Sequence, residues 1–499
     1  MTTDRPPPPS PTVADAVPLE HLLADQPPVL DVGDNLDQVR RGRRVVFLDD
    51  DPTGTQTIAD LPVLTSWSVG DLQWALQQQT TGFFVLTNTR SLSETDAAEV
   101  NREVVDALDQ AATAEQVSYV IASRSDSTLR GYFPLETDVL AEELAARGTV
   151  VDGVVVCPAY VEPGRVTVDS VHWARIGDGM IPVSQSEFAK DASFGYRNSD
   201  LRDWVEEKTA GRIRRHQVAR ITLTDIRAGG PDRVLEILSQ LSNGQPVVVD
   251  TAADADQQVV VLALLRAEAA GKNFIYRIGP SFVRARTGQR ATPPADAERL
   301  RQILSTQPSD TDDARTATEH GLIAVGSHVG LTTRQLDRLR DRGKIIELEL
   351  DVPTLLDDSV GDRHVNDVAA EAAKVLRNND ADSDVVIRTS RTLLTGEDAV
   401  SSLVIARTVS AALVGTVREI VSQIRPSFVL AKGGITSSDT ATEGLGMTRA
   451  WCRGTMLPGI ISLWEPVTGL AQGIAYIVFA GNVGDDDALG AVVDTLRSV

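Results

Sequence analysis

Apolar residues along the chain come as short runs, separated by segments in which they recur every three or four positions. The first run, VVFL at 45–48, follows two arginines and empties into DDDPTG at 49–54. A run of that length closed by Pro and Gly reads as a buried strand with a polar loop at its carboxyl end. GFFVLTNTR (82–90), YVIASRSD (119–126), VDGVVVCPA (151–159) and QPVVVDTA (245–252) repeat the form. Between them, 94–116 and 137–146 carry helical spacing. Continuous apolar strands alternating with helices predict a parallel sheet covered on its faces by helices.

A second alternation follows. GLIAVGSHVG (321–330), KIIELELDV (344–352), VVIRTS (385–390), SFVLAKGGITSSD (427–439) and AYIVFAGNVGDDDALG (475–490) each set an apolar run before a polar or glycine loop. In 402–425, Val409, Leu413, Val417, Ile420 and Val421 share one helical face, which should pack on the second sheet. The stretch 287–320 instead holds a Pro-Pro pair and many small polar and acidic residues, and reads as a connection with room for a short helix. The Pro cluster and scattered acids of 1–40 read as a mobile or loosely docked leader. The fold class predicted is α/β in two domains, 41–290 and 318–499, each a mainly parallel sheet flanked by helices. Residues 1–40 would be the leader and 291–317 the linker.

Composition narrows what such domains serve. The 499 residues carry 70 Asp and Glu against 48 Lys and Arg, a net charge of −22. That surplus repels nucleic acid and anionic membranes, so neither is an expected partner. Two cysteines, Cys157 and Cys452, are too few for a disulfide framework or a four-cysteine metal site. No apolar run approaches the roughly 18 residues of a spanning helix, and MTTDRPPPPS is not a secretory signal. A cytoplasmic protein acting on small molecules is the expectation. A second copy of the chain is the macromolecular partner left open. The six histidines show no metal-binding spacing, so no metal site is expected, and His172 reads as packed or surface.

Ligands of open parallel sheets bind beyond the carboxyl ends of the strands, and the informative residues follow the strands here. They are Asp49, Asp50, Asp51, Thr53 and Gly54 after the first run, and Arg90 after the second. Arg124, Asp126, Ser127, Thr128 and Arg130 follow the third, and Arg165 comes after the fourth. Guanidiniums fork a carboxylate and Asp accepts from hydroxyls or serves as a base, which suits a small hydroxylated anion. The plain alternative is that each Asp caps a helix and each Arg pairs with it. In the second half, Gly433-Gly434-Ile435-Thr436, Gly326-Ser327 and Gly481-Asn482-x-Gly484 form glycine loops suited to phosphate. Neither GxxxxGK[ST] nor a strand-linked GxGxxG is present. Asp49-x-Asp51-x-Thr53 also matches the aspartyl-phosphate loop of haloacid-dehalogenase-type phosphatases, with Asp49 as nucleophile and Asp51 as acid. That chemistry needs an acidic magnesium loop in the same domain, and the nearest, at 484–487, lies in the other one.

DDPTG (50–54), SDSTLRG (125–131), PAYVEPGR (158–165), SEFAKD (186–191), GSHVGLTTRQ (326–335) and GGITSSD (433–439) in this order resemble the four-carbon acid-sugar kinase family. The resemblance runs from about residue 43 to the C-terminus. It implies an N-terminal domain binding threonate, erythronate or a 3-oxo-tetronate, a C-terminal domain binding ATP with Mg2+, and transfer in the cleft between them. Asp51 or Asp126 would be the base. Asp50, Thr53, Gly54, Arg90, Arg124, Ser127, Thr128, Arg130 and Arg165 would hold the acid. Ser327, Gly433, Gly434, Ile435, Thr436, Gly481, Asn482 and Gly484 would hold the nucleotide. Arg124 stands where Lys is usual. Val325 and Val329 replace serines of the nucleotide loop, and a Lys is lost at Ala480 or its neighbour, which predicts weakened ATP binding. A sugar-acid sensor that no longer binds ATP is the third reading. DDDPTGTQT, in place of the commoner DDFTGAND, marks a divergent branch.

Overall fold

The computed structural model describes residues 16–33, 36–305, 315–357, 359–378, 382–391, 394 and 399–499. The Pro cluster and residues 306–314 of the expected linker lie outside them. The chain divides into two compact units, Met1–Gly54 with Trp67–Arg290, and Thr55–Ser66 with Ala291–Val499.

The first unit contains β1 (Arg44–Asp49), and the second takes the next strand, β2 (Leu61–Leu64). β3 (Gly82–Leu86), β4 (Tyr119–Arg124), β5 (Gly153–Cys157), β6 (Arg165–Val168), β7 (Val171–Ile176), β8 (Gly179–Pro182), β9 (Ala219–Ile221), β10 (Gln245–Val249) and β11 (Phe274–Ile278) return to the first. Its main sheet runs β3-β1-β4-β11-β5-β10-β9, every pair parallel. β6, β7 and β8 form a separate antiparallel sheet. The register sets Asp49 beside Leu86 on one flank and Arg124 on the other. A charged pair is thus built into the last rung of neighbouring strands. The helix Glu94–Glu115 turns Ala97, Asn101, Val104, Val105, Leu108 and Ala112 inward at three- and four-residue spacing, and Ser93 caps it by accepting from Asp96 N.

The second unit adds β12 (Thr316–Ala317), β13 (Leu322–Val325), β14 (Ile345–Leu350), β15 (Asp384–Thr389), β16 (Ile424–Arg425), β17 (Phe428–Lys432), β18 (Arg449–Leu457), β19 (Ile461–Pro466) and β20 (Ala475–Phe479). β14-β15-β13-β17-β20 are parallel, and β19, β18 and β2 extend that sheet antiparallel. The helix Ala399–Gln423 buries Leu413, Val417, Ile420 and Val421, the face its spacing predicts; Val409 is half-buried.

Two expected boundaries shift. Residues 55–66 were expected in the first domain, yet β2 pairs with β18, Leu61 opposite Cys452 and Leu64 opposite Arg449. All four β2 residues are buried, and an apolar edge with no partner would be left open to aggregation. The segment 291–305 is core rather than linker: Leu300 and Ile303 of the helix Ala297–Ser305 pack with Ile323, Phe428 and Val492. The described part of the leader is docked. Val17 exchanges backbone hydrogen bonds with Met180, and Leu19, Leu22 and Leu23 pack against Val166, Val168 and Leu223.

Each of Leu61, Val63 and Leu64 contributes about 1.5–3 kcal/mol by burial. A fragment 318–499, lacking β2 and the Ala297–Ser305 helix, should therefore aggregate or melt without a cooperative transition. Fusing 55–66 through a Gly/Ser linker to 291–499 should restore a sharp thermal transition and a monomer peak on size-exclusion chromatography. A cooperative, monomeric 318–499 would show that β2 is dispensable.

Candidate functional site

The carboxyl ends of β1, β3, β4 and β11 carry a lattice of carboxylates and guanidiniums. Arg124 donates from Nη1 to Asp49 Oδ1 at 2.9 Å, with both side chains almost fully buried. Arg90 binds Asp51 and lies 3.8 Å from Asp50 Oδ1 and 3.7 Å from Asp126 Oδ2. Arg130 donates from Nε to Asp126 Oδ2 at 2.6 Å and stands 3.7 Å from Asp191. Thr53 closes on Asp51 through its N–H at 2.8 Å and its hydroxyl, as the Thr128 hydroxyl does on Asp126. Buried Glu136 accepts from Thr89 at 2.5 Å and Ser123 at 3.0 Å. Backbone bonds interlock the loops as well, Asp50 N to Arg124 O and Arg90 N to Asp50 O. Asp50, Asp51, Arg90, Arg124, Asp126, Thr128 and Arg130 thus meet at one sheet edge, as the sequence suggests.

These acids differ in protonation. Burial raises Asp50 to about 7, against the pull of Arg90 and with a push from Glu136. Both of its oxygens are buried without a hydrogen-bond donor. Burial also raises Asp49, to about 6, against Arg124. For Asp51 and Asp126 burial works the same way, but it is outweighed by Arg90 and Thr53 acting together in one case, and by Arg90, Arg130 and Thr128 in the other. Both stay below the usual carboxylate range. One acid of the loop is therefore left with a near-neutral proton affinity and free acceptors.

Gly54 is required by contact, since a Cβ there would sit 1.6 Å from Asp49 Oδ2. That crowding and the Arg124 clamp close off the Asp49 carboxylate, a poor setting for the phosphatase nucleophile. Arg165 has no carboxylate within ion-pair distance among the described residues. Its guanidinium lies over the Phe188 ring at 5.8 Å, Arg130 lies over the same ring at 5.2 Å, and Arg165 Nε is buried without an acceptor. Phe188, within the SEFAKD segment, was not singled out as a site residue. Arg277, also missed, donates to Arg130 O at 3.0 Å and keeps its Nε unpaired. Orphaned donors and a bare carboxylate at one edge fit a small ligand bearing hydroxyls and negative charge.

Ser127 acts through its carbonyl, which accepts from His172 Nε2 at 2.8 Å, while His172 Nδ1 accepts from the Thr167 hydroxyl at 2.9 Å. Burial holds His172 neutral, its pKa lowered to about 4. It braces the loop from behind.

In the second unit the glycine loops interlock by themselves. A Cβ at Gly326 would lie 2.3 Å from Thr436 Oγ1, one at Gly433 2.7 Å from it, and one at Gly481 2.4 Å from Ser327 Oγ. Thr332 donates to Gly481 O at 3.0 Å, and Gln335 to Val483 O at 3.0 Å and Asp485 O at 2.7 Å. Thr332 and Gln335 of one loop thus fasten the next. Gly434 has open space where a Cβ would stand, Gly484 holds φ +81°, and Asn482, Ile435 and Val329 are exposed. Two cations here escaped the sequence reading. Arg391 donates to Ser327 O at 2.6 Å and Thr333 Oγ1 at 2.7 Å. Lys432 donates to Ala480 O at 2.7 Å, beside the position where a Lys is missing.

Sheet order and site define a two-unit α/β protein with an acid–guanidinium sheet edge in one unit and interlocked glycine loops in the other. Residues 45–286 match the model of a sugar-binding N-terminal domain, and residues 322–489 that of a nucleotide-binding C-terminal domain. The chain belongs to the four-carbon acid-sugar kinase family. Its fold is similar to that of a Salmonella typhimurium LT2 protein described as a candidate tRNA synthase, at TM-score 0.62 and 16% identity, covering 90% of this chain and 98% of that one. It is also similar to Haemophilus influenzae protein HI1011, of the DUF1537 family, at TM-score 0.59 and 17% identity over 90% and 100%. No curated protein matches the chain significantly. Among the described residues no helix is long and apolar enough to cross a membrane.

His172 gives this site a stability signature. Its folded pKa of about 4 lies below the ordinary histidine value of 6.5, so as pH falls through that window protons go to the unfolded chain and stability is lost. About 2.5 pH units correspond to about 3 kcal/mol. Urea titrations at pH 7 and pH 4 should show His172→Gln losing about that much less than the native chain. Equal losses would mean that His172 is not held neutral.

Proposed function

We propose that the chain is an ATP-dependent kinase that phosphorylates a hydroxyl of a four-carbon sugar acid. The observation that carries this reading is Asp50, a buried carboxylate with two free acceptor oxygens among guanidiniums that neutralise its neighbours. A hydroxyl placed there would find a base with proton affinity near neutrality, whereas Asp51 and Asp126 are held ionised by Arg90 and are weaker bases. Asp50 is therefore the proposed general base. Asp51 and Asp126, the bases first suggested by the motifs, would instead orient Arg90 and Arg130. Arg165 and Arg130, both over Phe188, are proposed to fork the substrate carboxylate. Arg124 and Gly54 position Asp49, and Thr53, Ser127 and Thr128 fix the two loops.

The nucleotide is proposed to bind at Ser327, Gly433, Gly434, Thr436, Gly481, Asn482 and Gly484, with exposed Ile435 against its base. Magnesium bound to the phosphates would neutralise charge as the phosphoryl group leaves. The residues of this chain do the remaining work. They hold the acid by its carboxylate, take the hydroxyl proton onto Asp50, and present backbone N–H groups to the phosphates. A cytoplasmic location and a place in the breakdown of carbohydrate acids accord with this substrate class.

ADP release with a panel of threonate, erythronate and 3-oxo-tetronates tests the reading. ADP should form only when an acid is present. Phosphate release without ATP would favour the phosphatase, and acid binding without turnover the sensor. Asp50→Asn should lower kcat by about 10² or more with little change in ATP affinity. In the native enzyme kcat/KM should rise with pH through about 7 as Asp50 loses its proton. An active Asp50→Asn enzyme beside an inactive Asp51→Asn or Asp126→Asn one would move the base to that residue.

A further inference from the structure

Lys432 ends β17, and the residue is fully buried. Its Nζ donates to Ala480 O at 2.7 Å and Gly481 O at 3.4 Å, and sits 3.7 Å from the centre of the Phe479 ring. No carboxylate of the described residues lies within ion-pair distance of it. Its register neighbours are Val325 on β13 and Phe479 on β20, neither of which titrates. Its carbonyl receives the N–H groups of Gly326 and Ser327, and Gly433 and Gly434 follow it directly. One side chain thus lies where three glycine loops converge.

A buried ammonium with no counter-charge is costly, and folded proteins otherwise pair or neutralise such groups. Arg391 repeats the pattern nearby: it grips Ser327 O, has no carboxylate partner among the described residues, and keeps a buried Nε unpaired. Two cations fastened to the carbonyls of adjoining glycine loops, with no carboxylate of the described residues within ion-pair distance, leave room for an anion from outside. We propose that Lys432 is the counter-charge of the nucleotide phosphate chain, supplied from beneath the Gly481–Gly484 loop, and that nucleotide binding fixes a proton on it. The proposal rests on the nucleotide-binding reading of this unit.

Protonation gives the test its sign. Burial alone lowers Lys432 from 10.5 to about 7, so at pH 8 much of the free protein carries it neutral. A bound polyanion favours the charged form and must draw a proton from the buffer. The whole chain should be titrated with ATP and Mg2+ at pH 8, where the phosphates are already ionised, in buffers of differing ionisation enthalpy. Calorimetry should show proton uptake approaching one per nucleotide, fading towards pH 6, and none with adenosine. Lys432→Met should lose that uptake and bind ATP roughly tenfold or more weaker. If the native chain binds ATP without taking up a proton, or the variant matches it in both readouts, the assignment to Lys432 falls while nucleotide binding stands. If the native chain binds no nucleotide, both fall together. Should Lys432→Met fail to fold, the proton count of the native chain decides alone.

Discussion

Arg90 faces three carboxylates at once, and the first unit's site depends on it. Asp50, Asp51 and Asp126 come from loops after two different strands, and their mutual repulsion in a buried setting would force those loops apart. A guanidinium offers five N–H donors in a rigid fork, enough to bind Asp51 while its charge acts on Asp50 and Asp126. Arg90 can do this because its own backbone N–H donates to Asp50 O, so the cation and the acids are held by one local framework. The Asp49–Arg124 rung one layer below repeats the solution with a single pair.

That neutralisation is uneven, and the unevenness is what separates the acids chemically. Donors crowd Asp51 and Asp126, whose carboxylates are held charged, while the Asp50 carboxylate receives no hydrogen bond. Gly131, at φ +108°, lies so close that a Cβ would stand 2.9 Å from Asp50 Oδ2. Backbone rather than side chain therefore closes that flank of Asp50, with no extra donor to lower its proton affinity. Consecutive acids in one loop come to have different proton affinities because the strands around them distribute guanidiniums asymmetrically.

Much of this was legible in the chain. Runs such as VVFL and GFFVL are buried on both faces of a parallel sheet, so composition alone marks them, and the loops behind them fall at the carboxyl edge by rule. β2 was not legible. LPVL is four residues with a proline inside, and nothing local tells that its partner is β18, almost 400 residues on. β18 itself carried a signal that was passed over: Ala450, Cys452 and Gly454 alternate with half-exposed Arg449, Trp451 and Arg453, the period-two mark of a strand. Within the site, motif spacing found the acids and arginines but could not rank them. Asp50, Asp51 and Asp126 are one residue type, and only burial and the count of donors tell them apart. Lys432 escaped for a related reason. Before a Gly-Gly loop a lysine reads as a surface residue, and its burial follows from β20 lying alongside β17.

On the proposed function, a chain of net charge −22 must attract two anions, a sugar acid and a nucleotide, against its own field. Long-range attraction cannot do it, since the overall sign is wrong. Short-range attraction can, provided that some cations are kept free of the abundant acids. Arg165, Lys432 and Arg391 meet that condition, each resting on carbonyls or an aromatic face instead of a carboxylate. Carbonyl oxygens and ring faces hold a cation in place without cancelling its charge, so its attraction survives for a ligand. Arg90 and Arg124, whose charge is spent on the protein's own acids, serve structure and protonation. On that reading the division between paired and unpaired cations, rather than the number of basic residues, is what would let so acidic a chain bind anions.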